Sequence, residues 1–295
     1  MSPVFDCSDS AGRAEGIRKA ADAVRGGSLI VMPTDTLYGV ACDAFNRLAV
    51  SALLSAKGRG RNMPPPVLVP RVEAVDGLAL DVPPYARALM EAFWPGALTL
   101  ILKAQPSLAW DLGDTNGTVG LRMPDDELAL AILADIGPMA VSSANRNGQP
   151  NARNILDAAT QLGSSVEVYL DAGPVKSAFP STIVDATGAM PTVLREGIIT
   201  AAEIDEIAAA HVLPGLDDPS TVDTQDTGDA PADSIEVSAT PQEAVTASGY
   251  PDALESSPGA PADGSPARDD TLVPDTPSDP IHPDDTTSPE EGIRE

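Results

Sequence analysis

Residues 28–39 read SLIVMPTDTLYG, and the parsing of this stretch decides the fold. SLIVM (28–32) is a short apolar run with two β-branched residues, the pattern of a strand buried on both faces. PTDTLYG (33–39) follows, with Pro33 and Gly39 as turn residues and Thr34, Asp35, Thr36 and Tyr38 offering hydroxyls and a carboxylate at the strand end. The loop either caps its own backbone or presents a binding edge. Upstream, AGRAEGIRKAADAVR (11–25) is Ala- and Arg-rich, with Ser8, Asp9 and Ser10 as cap candidates and Gly26 and Gly27 at its close, which predicts a helix.

Downstream, the alternation continues. RLAVSALLSAK (47–57) has helical spacing at Leu48, Leu53 and Leu54, VLV (67–69) reads as a strand, and PYARALMEAF (84–93) is a proline-started helix. ALTLILK (97–103), with alternating character, and TVGLRM (118–123) predict strands, DELALAILADI (126–136) a helix and PMAVS (138–142) a strand. A helix near 152–161 capped by Asn151, strands at 166–170, 181–186 and 191–195, and a helix near 200–210 complete the pattern. Interleaved strands and helices imply an α/β domain with a mixed sheet. RNMPPP (61–66) is a stiff connector, and no period of 20–50 residues repeats.

The chain has 295 residues, a length that suggests roughly two domains, but its charge is unevenly spread. Residues 215–295 hold 20 acidic and two basic residues (Arg268 and Arg294), twelve prolines and one aromatic, Tyr250. Such a segment cannot bury enough apolar surface to offset its conformational entropy. The expected organisation is one folded domain, 1–214, and a disordered acidic Pro-rich tail, 215–295. Either the tail solubilises the protein or it competes for a basic groove, and solubility is the expected main role.

Counts exclude several chemistries. The two histidines, His211 and His282, lie at the edge of the folded part and in the tail, so a Ser-His-Asp hydrolase, a Cys-His protease or a histidine-ligated zinc site has no histidine to use. Cys7 and Cys42 have neither metal-ligand nor redox spacing and are expected to be reduced. No apolar run approaches the roughly 18 residues needed to cross a bilayer, and MSPVFDCSDS is not a signal-peptide core. The expectation is a soluble, cytoplasmic protein without membrane attachment.

Besides the 33–39 loop, three segments could carry chemistry. KGRGR (57–61) sets Lys57, Arg59 and Arg61 among glycines, which suits phosphate oxygens or, alternatively, complements a helix end. It is not a Walker sequence. In SSANRNGQPN (142–151), Ser142, Ser143, Asn145 and Asn151 could hydrogen-bond a nucleotide, while Asn151 could also cap the next helix. STIVD (181–185) and LREG (194–197) place Arg195 at a strand end, where it meets either an anion or an acidic neighbour, and Arg122 in GLRMP (120–124) poses the same choice. WPG (94–96) reads as a turn with a packed aromatic, and DDEL (125–128) as first-turn acids.

Seven ordered stretches together, PTDTLYG (33–39), KGR (57–59), WPGALT (94–99), TVGLRMP (118–124), SSAN (142–145), STIVD (181–185) and LREG (194–197), resemble the YrdC-type L-threonylcarbamoyladenylate synthase family. The resemblance covers roughly residues 10–210. It implies a YrdC-like α/β domain with a twisted mixed sheet and flanking helices around an open, concave, basic groove. The implied reaction joins L-threonine, bicarbonate and ATP, with Mg²⁺ on the triphosphate, into threonylcarbamoyl-AMP and pyrophosphate. That product serves the N6-threonylcarbamoyl modification of tRNA beside the anticodon through downstream threonylcarbamoyl-transfer proteins.

By the same resemblance, Lys57, Arg59 and Arg195 are the catalytic cations. Thr36, Thr118, Arg122 and Ser181 would hold threonine, and Ser143, Asn145 and Asn151 would join the three cations at ATP. Two departures stand out: Gly60 replaces the proline that many relatives carry after K-x-R, and MPPPVLVP (63–70) replaces their N-P-L-I-V-H stretch. Longer relatives also add a folded C-terminal domain, for which 215–295 has the wrong composition. A non-catalytic RNA-binding module on the same fold is the alternative, but the net charge of −8 over residues 1–214 predicts weak or no direct tRNA binding. A carbamoyl transferase using carbamoyl phosphate is the other; its relatives carry zinc-finger-like and acylphosphatase modules that this chain lacks.

Overall fold

The computed structural model describes residues 2–175, 177 and 179–211. The 215–295 segment lies outside the described residues. The elements in chain order are β1 (Val4–Asp6), α1 (Ser10–Arg25), β2 (Ile30–Met32), β3 (Gly39–Asp43), α2 (Arg47–Lys57), β4 (Val67–Leu68), α3 (Val75–Leu78), β5 (Ala79–Leu80) and α4 (Pro84–Phe93). There follow β6 (Leu98–Ala104), β7 (Thr118–Arg122), α5 (Glu127–Ile136), β8 (Met139–Ser143), α6 (Ile155–Leu162), β9 (Val168–Asp171), β10 (Thr182–Asp185), β11 (Thr192–Arg195) and α7 (Ala201–Ala209). This is the mixed α/β architecture the sequence implies.

All strands join one mixed sheet in the order β1-β9-β2-β3-β8-β4-β7-β6-β10-β11, with β5 beside β6. Successive side chains on a strand face opposite ways, and here both faces meet a core. Val31, Val40, Cys42, Val67, Ala140, Leu98, Leu100, Val119, Leu121 and Val184 point to one face, where residues of α2, α4, α6 and α7 pack. Ile30, Met32, Ala41, Leu68, Met139, Val141, Val168 and Leu170 point to the other, under α1 and α5. Burial on both sides explains why runs such as IVM carry no polar alternation.

Local chemistry sets the helix ends. Asp9 caps α1 by accepting from Gly12 N at 2.8 Å. Asn46 caps α2, which ends on Gly58 in the left-handed region at φ 68. Thr200 and Glu203 form a capping box on α7.

Four expectations change. Asn154, not Asn151, caps α6: its own backbone is extended and its side chain accepts from Asp157 N at 2.9 Å, so the helix begins at Ile155. Leu48 is 84% exposed, since the buried stripe of α2 runs through Ala49, Val50, Leu53, Leu54 and Lys57. β6 is buried at five consecutive positions instead of alternating. Gly39 does not fix a turn but opens β3, pairing with Ser143 of β8. Its hydrogen is required by packing, because a Cβ there would stand 2.6 Å from Val141 Cγ1. Gly39→Ala is therefore expected to lower stability by about 1–3 kcal/mol through overpacking, measured by urea denaturation; an unchanged midpoint would show that the β3–β8 contact yields freely.

Candidate active site

The second core takes strand residues only from β1, β2, β3, β4, β8 and β9. Helical cover on that face therefore stops at β4. On β6, β7 and β10 the other face is filled by Leu98, Leu100, Leu102, Val119, Leu121 and Val184. Their alternates, Thr99 and Ile101, Thr118, Gly120 and Arg122, and Ile183, project onto the half of the sheet that α1 and α5 leave bare. Arg195 shares that face, since it lies opposite Ile183. This half-sheet, which α1 and α5 do not cover although Thr99, Ile101 and Arg122 on it are buried, forms the candidate site with the loops 33–38, 58–66 and 144–150.

Arg122 is its most constrained side chain. Nε donates to Gly96 O at 2.9 Å, Nη1 to Thr36 Oγ1 at 3.0 Å and Nη2 to Asp35 Oδ1 at 2.6 Å. Asp35 Oδ1 also accepts from Asp125 N at 3.0 Å, so the β2–β3 loop is tied to the end of β7, three strands beyond β3 in the sheet. Thr34 shapes that loop: its Oγ1 donates to Leu37 O at 2.6 Å and accepts from the backbone of Thr36 and Leu37. Its one proton is thus committed, and the 3.1 Å contact between Thr34 and Thr36 has Thr36 as donor. Thr36 Oγ1 is then donor to Thr34 and acceptor from Arg122.

Arg195 Nη2 donates to Ser181 O at 2.8 Å, and Ser181 Oγ lies 3.0 Å from Thr99 Oγ1. Burial, then the charges of Arg122 and Arg59, hold the Arg195 guanidinium below its usual range. Arg195 thus lies in the field of both other guanidiniums. Burial also lowers Arg122, where the Asp35 carboxylate opposes it, and lowers Arg59. Asp35, at 13% side-chain exposure against 8% for Arg122, is the one carboxylate paired with any of them among the described residues.

Lys57 is fully buried at the last position of the α2 stripe. Its Nζ donates to the carbonyls of Ser143 and Asn145 and to Asn145 Oδ1 at 2.8 Å, with Ser143 Oγ at 3.3 Å. Asn145 is saturated as well, since Oδ1 accepts from Ser143 Oγ at 2.6 Å and Nδ2 donates to Gln149 O at 2.6 Å and Arg146 O at 3.0 Å. Here Lys57 and Asn145 hold the 143–149 loop instead of presenting free donors to a nucleotide. Burial, and behind it the charge of Arg59, pushes the Lys57 ammonium down to about 7.

Of the residues named from sequence, the structure brings Thr36, Arg122, Ser181, Arg195 and Arg59 to one region, with Lys57, Ser143 and Asn145 beneath its edge. Thr118 stands further along the same strand. It shares the bare face but lies four residues from Arg122 along β7, about 13 Å at strand rise, and its hydroxyl donates to Thr115 O. Asn151 is exposed on the loop before α6. Arg61 turns away from Arg59 to Asp111 at 2.8 Å and Asp114 at 3.4 Å.

Sequence reading missed Thr99, inside an apolar run, and Asn147, whose Oδ1 accepts from Arg59 Nε at 3.2 Å. It named Asp35 without its partner Arg122, because 87 residues separate the two. Among the described residues no three His, Cys, Asp or Glu side chains group as metal ligands. Cys7 and Cys42 are buried free thiols, and among the described residues no helix is long and apolar enough to cross a membrane.

Two outcomes follow from this geometry. Asp35→Ala strands Arg122 as a buried, uncompensated charge and should cost about 3 kcal/mol in urea denaturation; a loss below about 1 kcal/mol would mean that water or a neighbour replaces the carboxylate. For Lys57 the folded value, about 7, lies below the ordinary 10.5. Between those values the unfolded chain binds more protons, so the penalty of burying the ammonium is fully present below pH 7 and is relieved as pH rises. From pH 7 to 9 the wild type should gain about 2 kcal/mol relative to Lys57→Met, and parallel pH profiles would contradict it.

A family model described as "Telomere recombination", covering Sua5, YciO and YrdC proteins, matches residues 22–197. A Mycobacterium leprae protein provisionally named a threonylcarbamoyl-AMP synthase is 55% identical over 207 residues, 70% of this chain and 94% of that one. The threonylcarbamoyl-AMP synthase of Bacillus subtilis is 37% identical over 68% of this chain, which spans 59% of that longer protein. The crystal structure of Pyrococcus abyssi Sua5 complexed with L-threonine superposes with a TM-score of 0.66 at 31% identity, over 70% of this chain and 61% of that one. With the sheet, the bare half-face and its arginines already in place, these matches make the chain a member of the Sua5/YciO/YrdC family.

Proposed function

We propose that this protein is an L-threonylcarbamoyladenylate synthase, a nucleotidyltransferase that makes threonylcarbamoyl-AMP and pyrophosphate from L-threonine, bicarbonate and ATP. The observation that carries the reading is Arg195 held in the field of Arg59 and Arg122, with a single paired carboxylate, beside the hydroxyls of Thr36, Ser181 and Thr99. The reaction brings anions together. The threonine amine adds to bicarbonate with loss of water to give a carbamate. A carbamate oxygen then attacks the α-phosphorus of ATP as the bond to the β-phosphate oxygen breaks and pyrophosphate leaves. Both partners are negative, so the first demand on the protein is fixed positive charge, and no side-chain base is required for the second step.

On this reading Arg122, with two N–H groups left after its three bonds, faces the threonine carboxylate, and Thr36 and Ser181 hold the amine and hydroxyl. Arg59 and Arg195 face phosphate and carbamate oxygens, with Mg²⁺ entering on ATP. Lys57, Ser143 and Asn145 act one step back, by holding the loop over which the nucleotide lies. The product is a water-labile mixed anhydride, which suits direct consumption by downstream threonylcarbamoyl-transfer proteins that modify tRNA, in the cytoplasm. The acidic chain makes weak or no direct tRNA contact.

The test is pyrophosphate release by purified protein with MgATP, omitting threonine and then bicarbonate. Release that requires both is expected, and Arg195→Ala should lower its rate by roughly a hundredfold, the effect of removing about 3 kcal/mol of transition-state stabilisation. Release that needs neither co-substrate would make the protein a nucleotide hydrolase instead.

A further inference from the structure

Half of the twelve described arginines pair with a carboxylate, and Arg59 does not. Arg13, Arg18, Arg25, Arg61, Arg87 and Arg122 each pair with a carboxylate. Arg59 has only neutral acceptors among the described residues: Asn147 Oδ1 on Nε and Ser142 Oγ on Nη1, both at 3.2 Å. Asn147 is itself anchored through its backbone, since its N–H donates to Lys57 O at 2.8 Å. That carbonyl belongs to the turn where Gly58 closes α2 in the left-handed region. The main chain of Asn147 thus ties the 143–149 loop to the end of α2, while its side chain is spent on Arg59 two residues further on.

A guanidinium has five N–H donors. Two are occupied here, and three, including both on Nη2, are left for an anion. Neutral acceptors fix the plane of the group without cancelling its charge. A carboxylate in the place of Asn147 would hold the same geometry and remove the field that a phosphate needs.

We propose that Asn147 is a positioning residue that orients Arg59 for the nucleotide phosphates while leaving its charge intact. This rests on the reading of Arg59 as a phosphate ligand. Asn147 acts through Arg59 and has no role at the threonine side of the site, where Arg122 is held by Gly96, Thr36 and Asp35.

The experiment is steady-state pyrophosphate release by the full chain, comparing Asn147→Ala, Asn147→Asp, Arg59→Ala and the Arg59→Ala/Asn147→Ala double variant. Asn147 is exposed, so all the single variants at this position should fold, with melting temperatures within about 2 °C of wild type. Asn147→Ala should raise KM for ATP about fivefold to tenfold, the size expected for coupled neighbours, with KM for threonine unchanged. Asn147→Asp should raise it further. In the Arg59→Ala background, loss of Asn147 should add nothing. An Asn147→Ala effect that persists undiminished there, a KM for ATP within twofold of wild type while Arg59→Ala raises it, or an Asn147→Asp variant that binds ATP as well as wild type, would each overturn the proposal. If Arg59→Ala itself leaves KM for ATP unchanged, the assignment of Arg59 to phosphate fails first, and that result is distinct from the others.

Discussion

Holding three partly buried guanidiniums, Arg59, Arg122 and Arg195, by hydrogen bonds to the protein is the constraint on which the site depends. Arg195 is disfavoured by burial and by the charges of the other two, and Lys57 feels Arg59 in the same way. Like charges drawn out of water separate unless each is fixed by hydrogen bonds strong enough to hold it. The holders are almost all neutral: Gly96 O and Thr36 for Arg122, Ser181 for Arg195, Ser142 and Asn147 for Arg59, and the carbonyls of Ser143 and Asn145 for Lys57. Only Asp35 adds a negative charge. A network of this kind fixes positions and leaves positive potential unspent, which is what a site for anionic reactants requires.

The sheet makes that network possible. Strands buried on both faces, such as β2 and β8, give a rigid floor, and the helical cover of α1 and α5 ends at β4. Beyond it, the same alternation that elsewhere fills a second core instead presents Thr99, Gly120, Arg122 and Arg195. Close approach of the backbone keeps the edge of this region tight. A Cβ on Gly197 would stand 2.2 Å from Pro180 O and 2.7 Å from the carbonyl carbon of Ser181, so the glycine of LREG is what lets Arg195 reach the Ser181 carbonyl.

Most of the fold was legible because its signals are local. α2 and α4 run over the residues the pattern marked, 47–57 and 84–93, since cap, stripe and proline lie within a few residues of one another. β1, β3 and β5 were not read. Two or three residues carry no period, and GVACD (39–43) lacks a polar alternate because both its faces are covered. The α6 boundary shifted from Asn151 to Asn154 because an asparagine three residues on has the same capping chemistry, and only the bond from its Oδ1 to Asp157 N settles which one caps.

By itself the sequence determined most of the helices and the longer strands, the family, and, through seven ordered stretches, which residues to examine at the strand ends. Propensity, capping and composition act over a few residues, so they survive in one dimension. Only the tertiary structure decided the partners. It put Lys57 on a buried stripe where its ammonium holds a loop, turned Arg61 outward to Asp111 and Asp114, set Thr118 about 13 Å along β7 from Arg122, and joined Asp35 to Arg122 across 87 residues. Which partner a charged side chain finds depends on what long-range packing brings within about 3 Å of it, and no local pattern carries that information.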